Sequence, residues 1–184
     1  MPVVAGVAAL LVGVALVLFL RGDEEPDEAE MEGLQTWSDL PNTHVEDDVS
    51  YDQAPPVGGN HIGAWMDCGA YDAPVADELA VHNLEHGGIW IAYDAAALDE
   101  AQVATLTEAL PGNGILTPYD GLEAPVVVSS WERQVALDGV DDPRLAEFVS
   151  TYENSPIAPE SGQVTCAGGI TAEQAVQVAE QYGL

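Results

Sequence analysis

The segment Pro55-Pro56-Val57-Gly58-Gly59-Asn60-His61 can be neither a helix nor a central strand. Its two prolines fix φ and withhold two backbone donors, and its two glycines admit left-handed backbone. A shaped loop must therefore stand here, with the regular elements arranged around it. The loop ends on a histidine, and His82 and His86 follow before the next glycine pair, Gly87-Gly88. Three of the chain's four histidines, one of its two cysteines and one of its three methionines fall between Pro55 and Gly88. No other stretch gathers as much coordinating chemistry.

The regular elements are read from periodicity. Residues 76–86 fit a short helix: Asp77 and Glu78 suit its first turn, Leu79 and Leu84 face a core, and Gly87-Gly88 stops it. Ile89 to Tyr93 is a buried strand by its β-branched and aromatic content. Leu98 to Leu110 is amphipathic, with Asp99-Glu100 at its start and Pro111-Gly112 at its end. A strand over 114–119 and another within 125–137, centred on Val126 to Trp131, come next. Helices over 143–152 and 171–182 complete the chain, the last one opened by Thr171 in capping-box manner. The expected fold class is α+β: a single domain over 34–184 whose mostly antiparallel sheet is covered by helices on one face. Trp37 and the segment from Leu40 to Val45 are expected to be irregular or an edge strand.

The helix carries the chemistry. His82 and His86 are four residues apart, so both imidazoles leave one helix face, a spacing that suits two ligands on one ion. Glu85 beside them can orient an imidazole, ligate or act as a base. His61 arrives from the loop, Met66 offers a thioether, and His44 is a further ligand or a support. Imidazole with thioether favours copper; imidazoles alone suit copper and zinc equally. The expected metal site is thus His61, His82, His86, Met66 and His44, supported by Glu85 and Tyr71, with a copper ion first and zinc as the alternative. A cell-surface structural or interaction domain whose histidines only satisfy buried backbone groups is the competing reading. The run His82-Asn83-Leu84-Glu85-His86 also fits H-x-x-E-H, in which two histidines hold zinc and the glutamate activates water. A hydrolase using Glu85 is the third reading, because the helix stops at once and no distant glutamate, Glu147 and Glu160 included, has a supporting context. The enzyme question stays open, leaning towards none.

Composition bounds the setting. With 3 Lys+Arg against 32 Asp+Glu the net charge is −29, and the basic residues are only Arg21, Arg133 and Arg144. A hydrophobic fraction of 47% nevertheless sustains a core, so the acid must coat the surface, where it repels itself unless salt screens it. That is the pattern of a halophilic protein. Nucleic acid is excluded as a partner, since no basic patch can neutralise phosphates. Val3 to Leu20 is an unbroken apolar run, long enough to cross a hydrocarbon layer of ~30 Å. Phe19-Leu20-Arg21 is not a signal-peptidase site, so residues 1–21 are expected to be an uncleaved anchor and 22–33, with its run of acids, a solvated linker. Arg21 on the domain side argues weakly for a cytoplasmic domain.

The ordered set His44, Tyr51, Pro-Pro-Val-Gly-Gly-Asn-His61, Cys-Gly-Ala-Tyr71, Val-His82-Asn-Leu-Glu-His86-Gly, Thr-Pro-Tyr119, Ser-Ser-Trp131 and Ala158-Pro-Glu160 resembles the family catalogued as domain of unknown function 3105. The likeness runs from about Thr36 to Glu160, and the chain is similar to an acidic, haloarchaeal-type member. The resemblance implies a single-pass membrane anchor and a domain on the extracytoplasmic side of the cell membrane, with no established activity and no known protein partner. In that setting Cys68 and Cys166 are expected to form a disulfide closing a loop of about 100 residues, worth ~3–4 kcal/mol by chain entropy. A thiolate ligand or a redox pair is the alternative, weakened by the lack of a C-x-x-C.

Overall fold

Why a chain this acidic folds at all is answered by its centre. The computed structural model describes residues 31–184, within which Gly33–Leu184 forms one unit. The strands are β1 (Gln35–Thr36), β2 (Gly69–Ala70), β3 (Ile89–Tyr93), β4 (Gly114–Pro118), β5 (Val126–Ser130) and β6 (Arg133–Leu137). The helices are α1 (Asp77–Glu85), α2 (Glu100–Ala109), α3 (Arg144–Tyr152) and α4 (Ala172–Tyr182). All six strands join one sheet in the order β1-β6-β5-β3-β4-β2.

Every residue of β3, β4 and β5 is buried, Thr117, Ser129 and Ser130 included, so these strands show no alternation of apolar and exposed polar residues. Helix α1 packs on β3 and β4, and α3 on β5 and β6. Trp90, Trp131 and Phe148 are among the largest side chains wholly out of water. The Trp90 indole donates to Thr117 Oγ1 at 2.8 Å, so its burial leaves no orphaned donor.

Two expectations are corrected here. The sheet is mixed and not mostly antiparallel: β3 pairs with β4, and β2 with β4, in parallel, while β3–β5, β5–β6 and β1–β6 are antiparallel. The reason is the helix between β3 and β4. A strand, a helix and a strand in immediate succession make a crossover, and crossovers join parallel neighbours. The central strands are consequently covered on both faces. Second, residues 126–137 are a hairpin and not one strand. The chain reverses at Trp131-Glu132, where Glu132 takes φ 59°. No glycine, asparagine or proline marks that turn. Contacts hold it instead: Glu132 N–H donates to the Val57 carbonyl at 2.7 Å, and the Glu132 carboxylate accepts from Leu40 N–H at 2.8 Å.

The predicted membrane anchor over 1–21 and nearly all of the acidic linker over 22–33 lie outside the described residues. Among the described residues no helix is long and apolar enough to cross a membrane. Cys68 and Cys166 are joined as a disulfide, with Cα atoms 5.0 Å apart. The crosslink ties the approach to α4 to the loop that leaves the histidine region, beside a backbone bridge between Met66 and Ile170.

Candidate metal centre

The Pro/Gly loop is pinned from three sides. Gln134 Nε2 donates to the Pro55 carbonyl at 2.9 Å, Glu132 holds Val57, and Tyr51 OH donates to the Asn60 carbonyl at 2.7 Å. The positive φ of Gly58 and Gly59, 148° and 121°, is the conformation the sequence anticipates. Space is equally restrictive: a Cβ on Gly59 would stand 3.2 Å from the Tyr51 ring, and one on Gly58 2.9 Å from Leu40 Cδ1. The loop delivers a fully buried His61. Backbone bonds from Val45 N–H to the His61 carbonyl, 2.8 Å, and from His61 N–H to the Thr43 carbonyl, 3.2 Å, lace the His44 segment alongside it.

Helix α1 meets this loop from beneath. Its N-cap, Ala76, offers no side-chain cap, yet eight of its nine residues are buried. Four of the buried ones are polar, and each is partnered. Glu78 accepts from Val49 N–H at 2.9 Å. Asn83 accepts from Met66 N–H at 3.0 Å and donates to the Met66 carbonyl at 2.8 Å, pairing with that residue as a strand would. His82 and Glu85 turn towards the loop.

The ring contacts are decisive. His61 Nδ1 donates to the Gly59 carbonyl at 2.8 Å, and His82 Nδ1 donates to the Ile62 carbonyl at 2.9 Å. A carbonyl only accepts, so each Nδ1 carries its hydrogen, and in a neutral ring Nε2 is then a bare lone pair. Glu85 Oε2 lies 3.0 Å from His61 Nε2, 3.5 Å from His44 Nε2 and 3.9 Å from His82 Nε2. The ligand atoms of His44, His61, His82 and Glu85 all lie within 4.8 Å of one another. Tetrahedral ligands about 2.0–2.1 Å from an ion stand about 3.3–3.4 Å apart, so this set surrounds one ion after a modest closing movement. His44 is the arm with freedom to close, its side chain being 51% exposed while the other three are buried.

Protonation favours a cation at this spot. Burial pushes His82 down to about 4, helped by His61 and His86 beside it and opposed by its bond to Ile62. Burial also works to raise the Glu85 carboxyl, but its bond to His61, the nearby imidazoles and a bond from Asn42 outweigh that and hold it below the usual carboxylate range. A neutral imidazole and an ionised carboxylate are the forms that ligate.

The remaining residues expected at the site are distributed around it. His86 is buried and its Nε2 faces Glu160 Oε2 at 3.4 Å, so it groups with Glu85 and Glu160 and not with His82. Its pKa is lowered, by burial first. Trp65 walls both helix histidines, its ring centroid 5.3 Å from His82 and 4.9 Å from His86. Met66 is fully buried in the apolar cluster with Ile62, Leu79 and Leu84. Tyr71 OH donates to the Asp67 carbonyl and braces the loop that follows Met66. Asn42 and Asn83 have no role in the sequence reading, which weighs Glu160 as a distant glutamate and sets it aside. Glu160 sits in the Ala158-Pro159-Glu160 turn, which a backbone bond of 3.0 Å from Glu160 N–H to the Glu85 carbonyl fastens to the end of α1.

Comparison with curated proteins and with solved structures yields no match. The family described as protein of unknown function (DUF3105) matches over residues 44–168, a span that begins at His44 and takes in every residue of the ligand groups, and the chain belongs to that family.

Proposed function

We propose that this domain binds a divalent transition metal through His44, His61 and His82 with Glu85, as a binding or delivery module held outside the cell membrane. One observation carries the reading. His61 Nε2 and Glu85 Oε2 are both electron-pair donors once Nδ1 is committed to Gly59, yet they stand 3.0 Å apart at a wholly buried position. Two lone pairs at that distance need a cation between them, and His44 and His82 add theirs to the same centre. Imidazole and carboxylate ligands accept borderline divalent ions, and the order of stabilities places copper above zinc. The extracytoplasmic setting is supported by the disulfide, which persists in oxidising compartments, and by the apolar run over 3–20. The acidic coat suits a concentrated-salt medium.

A proton on His61 is the other cation that satisfies the pair. It would make the cluster a structural brace and the domain a surface scaffold, and the 3.0 Å contact is an ordinary charged hydrogen bond on that reading. Hydrolysis through Glu85 has less support, since His82 and His86 do not face one ion.

The test is metal retention by the whole domain after desalting, with copper(II) and zinc(II) supplied separately. Wild type should keep at least one ion per chain, and copper(II) should show nitrogen hyperfine structure from three imidazoles. A concentration one hundredfold above Kd should stabilise the fold by about 3 kcal/mol, about 5–10 °C for a domain of this size. His44→Ala removes a half-exposed ligand without touching the core, so it should weaken binding while Tm of the metal-free protein stays level. Equal, negligible metal in wild type and His44→Ala, with stability indifferent to added ion, leaves only the proton-braced scaffold.

A further inference from the structure

We infer that Glu85 is a bridging carboxylate and that a second divalent cation binds beside the first, held by Glu85, His86 and Glu160. The inference rests on the metal reading of the first group and extends it to a two-ion centre.

The ligand atoms of Glu85, His86 and Glu160 lie within 4.8 Å of one another, and Glu85 is common to this group and to the three-histidine group. A carboxylate has two oxygens and about four lone-pair directions, enough for two cations at once. The helix then explains its own spacing. His82 and His86 flank Glu85, but they do not chelate one ion as an i, i+4 pair. His82 turns to the loop histidines and His86 turns to Glu160. Their ring centroids are 4.5 Å apart, compatible with one imidazole on each of two ions spaced about 3.5–4 Å, as in two-metal centres.

An independent sign comes from His86 itself. The ring is buried, its Nδ1 has no hydrogen-bond partner, and its Nε2 faces a Glu160 carboxylate oxygen at 3.4 Å. An imidazole hidden from water with one nitrogen orphaned carries a desolvation cost, which an ion bound to the ring would offset. Trp65 and His82 pack against the ring and fix its plane. Glu160 is 43% exposed, so the second position, like the first at His44, has one ligand within reach of solvent. Two carboxylates and one imidazole form a harder donor set than three imidazoles and one carboxylate. The second position therefore suits zinc or manganese, and binds copper less selectively than the first.

Cobalt(II) titration of the metal-free, full-length domain tests this, read by visible absorption with elemental analysis, then repeated with zinc(II). Wild type should bind two equivalents in distinguishable steps. Glu160→Gln should bind one, with the visible spectrum of the first step intact and Tm of the metal-free protein level, because the Glu160 side chain is partly in water. His86→Gln should lose the same step. His44→Ala should weaken the other step and spare this one. A single equivalent in wild type overturns the second position and leaves the first standing. Two equivalents retained by both Glu160→Gln and His86→Gln likewise overturn it. No cobalt or zinc in wild type removes both readings together.

Discussion

Helices α1 and α3 are the same length and are built to opposite rules. Helix α3 buries three of its nine residues, Leu145, Phe148 and Tyr152, and leaves the rest to water or the rim. Helix α1 buries eight of nine, and Glu78, His82, Asn83 and Glu85 are among them. Helix α3 is held by one apolar stripe, the ordinary device of a surface helix. Helix α1 has no such stripe and no side-chain cap, whereas α2 and α4 each open with a complete capping box. What holds α1 is the apolar cluster that Leu79, Ala80, Val81 and Leu84 join, and around it the Val49 amide, the Met66 backbone, the Ile62 carbonyl and the loop histidines fix its polar groups. Burying polar groups contributes little net stability even when each is satisfied. An element that hides so many is shaped by what those groups do, and α3 by what it covers.

That contrast can be broken by measurement. Phe148→Ala in α3 should lower stability by about 3–5 kcal/mol in denaturant unfolding while metal stoichiometry is unchanged. Loss of metal along with stability would show that the two helices are not separable. Asn83→Leu in α1 keeps the volume and removes the pairing with Met66, stranding a buried N–H and a buried C=O. A loss of about 2–4 kcal/mol is expected, with metal affinity reduced as well because the neighbouring turn is disturbed. Indifference to this change would make α1 an ordinary packed helix.

The pH dependence of the metal-free domain sharpens the comparison further. His82 ionises at about 4 in the fold against about 6.5 in the unfolded chain, so below 6.5 the unfolded state takes up the proton first. The stability that His82 contributes is whole above pH 6.5 and drains away as pH falls towards 4. The loss is on the order of 2–3 kcal/mol, and His82→Gln should flatten this part of the curve. The lowered Glu85 acts in the same sense at lower pH, being lost as its carboxylate is protonated. The smallest effect belongs to the outer elements: Thr171→Ala removes the cap of α4 and should cost about 1 kcal/mol with no change at the metal centre.

Local chemistry made most elements legible, and tertiary choices hid the rest. The bounds of α1, β3 and α4 follow from caps, glycine stops and β-branched runs. Pairing does not, because Ile89–Tyr93 looks the same beside a parallel or an antiparallel neighbour when both faces are buried. The Trp131-Glu132 turn was invisible because an acidic residue sits in left-handed backbone, held there by partners far away in sequence. At the site, the convergence of His44, His61 and His82 was readable from the loop and the helix. The partition was not. Whether His86 joins His82 or Glu160 depends on where the turn at Ala158-Pro159-Glu160 lies, and a contact across 74 residues leaves no local trace.

His44 stands apart from its companions in being half wetted, on a strand-like segment fastened by two backbone bonds. A rival donor arriving from outside therefore meets one imidazole it can displace before any buried ligand is disturbed. If the proposed ion is bound, its handover would run as successive substitutions at this vertex, which faces the medium. In such a centre the lifetime of the ion would depend on how often that single arm swings aside.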